Sequence, residues 1–132
     1  MKRIILLAFL CTTTLVMAQR INHVQEAIAN YDYEAALTLI AKEKPTIPLL
    51  LQKGKAQRGL GMNTEALSTY QEIITNDTAN TRAYIEAAEC CRSLAKYQQA
   101  LKYYEQALDL NPENKYVRIQ YIGLLLSLQK FQ

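Results

Sequence analysis

The sequence predicts an all-α fold of about seven helices, arranged as helix hairpins that stack one on the next. Strong helix formers dominate the 132 residues, and only 4 Gly and 3 Pro interrupt them. Apolar residues recur with the period of a helix, and no segment shows the alternation of a half-buried strand. A short motif of small and large side chains also recurs along the chain, which is typical of repeat architectures.

The first element has the layout of a secretory signal peptide. A basic start is followed by an unbroken apolar run over residues 4–11. The stretch then ends at Ala18 in the small-residue pattern of a cleavage site, which puts the cut before Gln19. We therefore expect a signal peptide over 1–18 and an exported domain over 19–132.

The signal also sets the expected location, which is the periplasm or cell envelope of a bacterium. No stable transmembrane segment would remain after cleavage. An uncleaved membrane anchor and a buried first helix stay open as alternatives. A lipid anchor at Cys11 is disfavoured, because it needs a small residue just before the cysteine and Leu10 stands there.

An alanine followed at once by a leucine occurs three times, and a large apolar side chain follows four residues after each alanine. The pairs are Ala36 with Ile40, Ala66 with Tyr70, and Ala100 with Tyr104. Residues four apart share a helix face, so the small residue admits a neighbouring helix and the large one fills the gap beside it. The alanines are 30 and then 34 residues apart, so the first unit is about one helical turn short.

Helix boundaries follow from the apolar period and from the helix breakers. Pro48 suits a helix start, Gly61 suits a turn, and Asn80 suits a helix cap. A further turn is expected over 111–114. The expected helices span 20–30, 33–43, 48–60, 64–75, 81–95, 98–110 and 115–129.

Residues 81–114 resemble one complete tetratricopeptide repeat. The matching positions are Tyr84, Ala87, Ala88, Cys91, Tyr97, Ala100, Tyr104, Ala107 and Pro112. Residues 47–80 are a looser match, residues 19–46 form a divergent short repeat, and residues 115–132 align with the first half of a further repeat. The positions kept in these less regular units include Ala36, Gly54, Ala66 and Tyr70.

The resemblance implies a right-handed superhelix of antiparallel helix hairpins, a tetratricopeptide-like α-solenoid. In this family the first helices of the units line a concave groove, which usually binds an extended peptide or a partner helix. Carried over position by position, the groove-lining candidates are Leu51, Lys55, Arg58, Arg82, Ile85, Glu89, Arg92, Tyr116, Ile119, Gly123 and Leu126.

Some chaperone-binding members of the family clamp a C-terminal carboxylate with Lys and Asn at set groove positions. Here Leu51 and Ile85 stand at the Lys positions. Lys55 and Glu89 stand at the Asn positions. We therefore expect a protein or peptide ligand of another kind.

Residues with catalytic or metal-binding chemistry are few. The single histidine, His23, is expected to be structural or exposed, so neither a catalytic triad nor a zinc site is predicted. Cys90 and Cys91 are adjacent and cannot pair without strain, which favours two small packing residues, with a redox role or a disulfide to a partner as the alternative. Glu86 and Glu89 lie one turn apart and are expected on a solvated surface. The sequence therefore predicts no enzyme, no cofactor and no metal.

The charge balance argues against nucleic acid as a partner. Without its signal the chain holds 13 basic and 12 acidic residues, interspersed along the helices. No basic patch remains that could bind nucleic acid by counterion release.

Two functions of different classes remain open. The first is an exported scaffold that binds a protein or peptide in the groove. The second is the N-terminal docking or sensor portion of a longer envelope protein whose activity lies beyond residue 132, since 115–132 has an apolar face and no closing helix. The same face also suggests self-association. Reading the gene past Gln132 would separate the two functions.

Overall fold

A computed structural model describes residues 1–130 of the chain. Its helices are α1 (Lys2–Ala29), α2 (Tyr33–Ile40), α3 (Ile47–Gly59), α4 (Asn63–Asn76), α5 (Thr81–Ser93), α6 (Tyr97–Leu110) and α7 (Lys115–Gln129). Within this part of the chain there is no strand. Phe131 and Gln132, the end of the predicted half repeat 115–132, lie outside the described residues.

The helices pair in chain order. Helices α1 and α2, α3 and α4, and α5 and α6 form three hairpins, and α7 packs on α6. Helices α3 to α7 begin and end close to the predicted bounds. Asn80 caps α5 as predicted, since its Oδ1 accepts from the Ala83 N–H at 3.1 Å. Helix α2 ends at Ile40 rather than at the predicted residue 43, because the chain already turns ahead of Pro45.

The first helix differs most from the prediction. The helix expected over 20–30 is only the last part of α1, which runs without interruption from its start. Residues 1–20 are all exposed, and the buried side chains of α1 are Val24 and Ile28. The alternative of a buried first helix is therefore wrong for the exposed stretch. Among the helices described, α1 alone is long and apolar enough to cross a membrane, a test that a signal sequence also passes.

The alanine-centred packing predicted from the sequence is present in all three hairpins. Ala36, Ala66 and Ala100 are each 0% exposed, and the large side chain four residues after each of them is also buried. Gly54 completes one of these contacts, because a Cβ atom there would lie 2.5 Å from Cζ of Tyr70. The small residues and the bulky side chains are thus buried together, in the close packing typical of protein interiors.

The turn inside each hairpin repeats one backbone geometry. Tyr31, Gly61 and Ala95 have positive φ angles of 61°, 75° and 57°. The N–H of the next residue donates in every case to the carbonyl five positions earlier, at 2.8 or 2.9 Å. This is the Schellman cap, which satisfies carbonyls at the end of a helix. The turn predicted at Gly61 is confirmed, and Ala95 occupies the same place in the following hairpin.

Candidate functional site

The groove candidates lie on α3 and α5, which are the first helices of two successive hairpins, and on α7, which follows them. None of them is fully buried. The half-buried ones are Leu51, Arg58, Ile85, Glu89 and Arg92. The exposed ones are Lys55, Arg82, Tyr116, Ile119, Gly123 and Leu126. We call the surface formed by these residues the groove face.

Equivalent positions on the three helices recur once per repeat and form rows across the groove face. One row is aliphatic and consists of Leu51, Ile85 and Ile119. Leu51 and Ile85 pack against the core beneath them, whereas Ile119 is 68% exposed. The row is therefore an apolar strip that is anchored in the core at α3 and α5 and open to solvent at α7.

Glu89 is the centre of a polar cluster on α5. The Tyr104 hydroxyl of α6 donates to Glu89 Oε1 at 2.5 Å, and the Tyr116 hydroxyl of α7 donates to the same oxygen at 3.0 Å. Arg92 Nη1 lies 3.4 Å from the other carboxylate oxygen. Burial, and then the bond to Glu89, raise the pKa of both hydroxyls, so both remain donors at neutral pH. The cluster ties α5 to α6 and α7.

Two arginines bridge α3 to α5 and α5 to α7 in the same way. Arg58 of α3 forms an ion pair with Glu86 of α5. Arg92 of α5 donates from Nη1 to Oε1 of Gln120 on α7 at 2.6 Å. Each arginine reaches a residue 28 positions further along the chain. One hydrogen-bonded bridge is therefore repeated from α3 to α5 and from α5 to α7 along the groove face.

Glu86 and Glu89 are not the solvated carboxylates expected from the sequence. Their side chains are only 24% and 17% exposed, because groups on neighbouring helices engage both of them. The sequence placed Arg58 and Arg92 on the groove face but did not identify Glu86 and Gln120 as their partners. The signal was present in the repeat register, since each arginine and its partner occupy equivalent positions in successive units.

The predicted repeat-signature residues divide into a buried and an exposed set. The buried ones are Ala36, Gly54, Ala66, Tyr70, Tyr84, Ala88, Ala100, Tyr104 and Ala107. Tyr97 and Pro112 are exposed, because they lie at the first residue of α6 and in the turn that follows it. Tyr97 thus lies outside the core, although it occupies a repeat-signature position.

The remaining reactive side chains are dispersed. Cys90 and Cys91 are both 0% exposed and pack in the core, as expected for small packing residues. Burial raises the pKa of the Cys90 thiol to about 11, so the thiol is protonated and unreactive at neutral pH. His23 is exposed, and its Nδ1 lies 3.9 Å from the Glu26 carboxylate on the same helix. Over residues 1–130 no group of His, Cys, Asp and Glu could hold a metal ion.

Residues 81–114 match the family model of the tetratricopeptide repeat (TPR). The chain contains a tetratricopeptide repeat. This repeat comprises α5, α6 and the turn after them, and it coincides with the repeat predicted from the sequence. Human tetratricopeptide repeat protein 6 is 30% identical over 89 residues, which cover 67% of this chain and 16% of the human protein. The chain thus spans a small part of this relative's length.

Solved structures share the fold of most of the helical array. The first TPR of Spaghetti (RPAP3), bound to an HSP90 peptide, matches with a TM-score of 0.79 at 20% identity, covering 85% of this chain and 92% of that one. The type III secretion chaperone SycD of Yersinia enterocolitica, in complex with a peptide of the translocator YopD, matches with a TM-score of 0.78 at 16% identity, covering 85% and 94%. The predicted all-α, TPR-like α-solenoid is confirmed.

Proposed function

We propose that the chain is an exported, non-catalytic scaffold that binds a segment of a partner protein on the groove face. The observation that carries this proposal is a contrast within the groove. Its floor, which we define as the bonded polar side chains of α3 and α5, is held in place, whereas apolar side chains on α7 are exposed. The floor is fixed by the bonds around Glu89 and by the two arginine bridges. Above this floor, large apolar side chains of α7 remain in solvent.

These exposed side chains supply the driving force for binding. Ile119, Leu126 and Tyr116 are 68%, 54% and 52% exposed. Covering one large apolar side chain completely is worth about 1.5–3 kcal/mol. Because the hydroxyl of Tyr116 is already held by Glu89, less side-chain freedom is lost when a partner covers its ring. Tyrosine held in this way is a favoured contact residue in protein interfaces.

A peptide or protein segment is a better ligand for this surface than a small molecule. The groove candidates extend over three helices rather than converging on one enclosed cavity. The Spaghetti and SycD structures, whose folds are similar, each contain a peptide of another protein. Within residues 1–130, His23 is exposed on α1 whereas Cys90 and Cys91 are buried on α5, so no histidine lies beside a cysteine nucleophile.

The export part of the proposal rests on residues 1–18 and on how little the fold needs them. Their layout is that of a signal peptide, and none of their side chains is buried. The side chains that join α1 to the core begin at Ile21 and continue with Val24 and Ile28. Cleavage before Gln19 would therefore leave every core contact intact, which suits a domain that functions in the periplasm or cell envelope of a bacterium.

Site-specific photo-crosslinking in the organism that encodes the chain tests the proposal. A photo-reactive amino acid replaces Ile119 on the groove face or, as the matched control, Leu110 at the end of α6, which is also an exposed aliphatic residue. We expect one defined adduct with another protein from position 119 and none from position 110. Equal adducts from both positions, or none from position 119, would contradict binding on the groove face.

A further inference from the structure

We propose that the groove face selects an acidic amphipathic segment, with its apolar side chains on α7 and its carboxylates beside Lys55 and Arg82. This inference rests on the proposed function, because it names the chemistry of the partner for the same surface. It depends on two observations: which charges of the groove are already paired inside the chain, and how apolar residues are distributed among the three helices.

The carboxylates of the groove are occupied by partners within the chain. Glu86 is paired with Arg58, and Glu89 is held by two tyrosine hydroxyls and by Arg92. The two arginines are engaged in the same contacts. Lys55 and Arg82 are the exposed charges that remain, and neither has an ion-pair partner within residues 1–130. The charge that the groove face offers to a ligand is therefore positive.

The apolar residues of the groove face are concentrated at α7. Tyr116, Ile119, Gly123 and Leu126 form a column on this helix that carries no charge. A Cβ atom at Gly123 would meet nothing within 4 Å, so a partner chain can approach the helix backbone there. The equivalent columns on α3 and α5 hold the cations. A ligand that satisfies both parts must carry apolar side chains toward one end and acidic ones toward the other.

The aliphatic row indicates an internal segment rather than a chain end. Leu51 and Ile85 provide no charge for a terminal carboxylate, and they connect the cationic region to the apolar column through Ile119. Packed helices lie about 10 Å apart, so the row extends about 20 Å from the first helix to the third. An extended chain rises about 3.3 Å per residue, and about 6–8 residues would cross the face.

Selection from a library tests this inference without any prior partner. A phage-displayed library of random peptides of about twelve residues, longer than the groove face, is selected against the full chain. In parallel it is selected against the charge-reversed variant Lys55→Glu with Arg82→Glu. The matched control is Lys102→Glu on α6, which reverses an exposed charge away from the groove face. Individual peptides are then measured by fluorescence anisotropy.

We expect the selected peptides to combine Asp or Glu with Leu, Ile, Met or Phe, and the charge-reversed variant to select basic residues instead. For a given acidic peptide the reversal should weaken binding about tenfold at low salt. The loss should shrink near 1 M salt, where the Debye length is about 3 Å. The control should bind like the unaltered chain. Leu126→Ser should weaken the binding of acidic and basic peptides alike.

The outcomes separate this inference from the proposed function. Peptides that lose affinity with Leu126→Ser but show no acidic preference, or no change on charge reversal, would overturn the charge selectivity and leave groove binding intact. Peptides that bind equally well to every groove variant would overturn the proposed function together with this inference. The same holds if the chain enriches no peptides at all.

Discussion

The turn inside each hairpin allows a stability prediction with a built-in control. Gly61 and Ala95 occupy the same position in successive hairpins, and both have positive φ. A non-glycine residue in this conformation costs about 1–2 kcal/mol, because its Cβ approaches the following carbonyl. A Cβ at Gly61 would meet no other atom within 4 Å, so this local strain is the whole expected cost.

We therefore expect Gly61→Ala to lower the free energy of unfolding by about 1 kcal/mol and Ala95→Gly to raise it by about the same amount. Urea unfolding followed by far-UV circular dichroism measures both changes as a shift in midpoint at constant slope. Thermal midpoints should move by about 3–6 °C in opposite directions. The variant that combines Gly61→Ala with Ala95→Gly should have a free energy of unfolding close to that of the original chain. Two shifts of the same sign, or no shift for Gly61→Ala, would refute the reasoning.

The proposed signal peptide, the core and the groove bridges each give a measurable outcome. Mass spectrometry of the exported protein should find Gln19 as the first residue, whereas an intact start would contradict cleavage. Ile73→Ala, at a side chain 0% exposed, should cost about 2–5 kcal/mol. Ile119→Ala, at a side chain 68% exposed, should cost under about 0.5 kcal/mol, and equal losses would contradict the assigned burial. A double-mutant cycle on Arg58 and Glu86 should give a coupling free energy of about 1 kcal/mol. A coupling of zero would contradict a stabilising ion pair between the two side chains.

The helices could be predicted from the sequence because the packing of a repeat requires particular residue types at fixed, short spacings along the chain. Ala66 and Ala100 lie one period apart, each is followed by a leucine, and each precedes a tyrosine by four residues. All of these features come from contacts between adjacent helices, so the spacing along the chain reports them directly. Helix caps such as Asn80 are equally local, since the side chain bonds a backbone N–H three residues on.

The first hairpin was harder to predict because its sequence keeps only part of the repeat pattern. Helix α2 has 8 residues, whereas α4 and α6 have 14. The alanine register therefore shifts by about one helical turn in this unit. The continuity of α1 through Ala18 could not be predicted either, because a signal peptide and the domain helix that follows it both have the composition of a helix. Nothing in the pattern separates one long helix from two consecutive ones.

The polar floor of the groove was missed because its bonds join residues that are far apart in sequence. The Glu89 carboxylate receives Tyr104 from the next helix and Tyr116 from the one after it, at separations of 15 and 27 residues. The spacing within one helix shows only that Glu86 and Glu89 lie one turn apart, which predicts that both carboxylates face solvent. Given the bridge from Arg58 to Glu86, the repeat register places Gln120 at the equivalent position for Arg92, and the structure shows that bridge as well.

Residue identity at repeat-equivalent positions differs between the core and the groove face of this chain. Tyr70 and Tyr104 share a place in the core, where both are fully buried and both are tyrosine. Lys55, Glu89 and Gly123 also share one place, yet they differ in charge and size. The bonds to Glu89 explain why a carboxylate stands there. No ion pair or side-chain hydrogen bond within residues 1–130 explains Lys55. Under the proposal above, the Lys55 ammonium faces the carboxylates of the acidic partner, and this is why its charge is the one to reverse first.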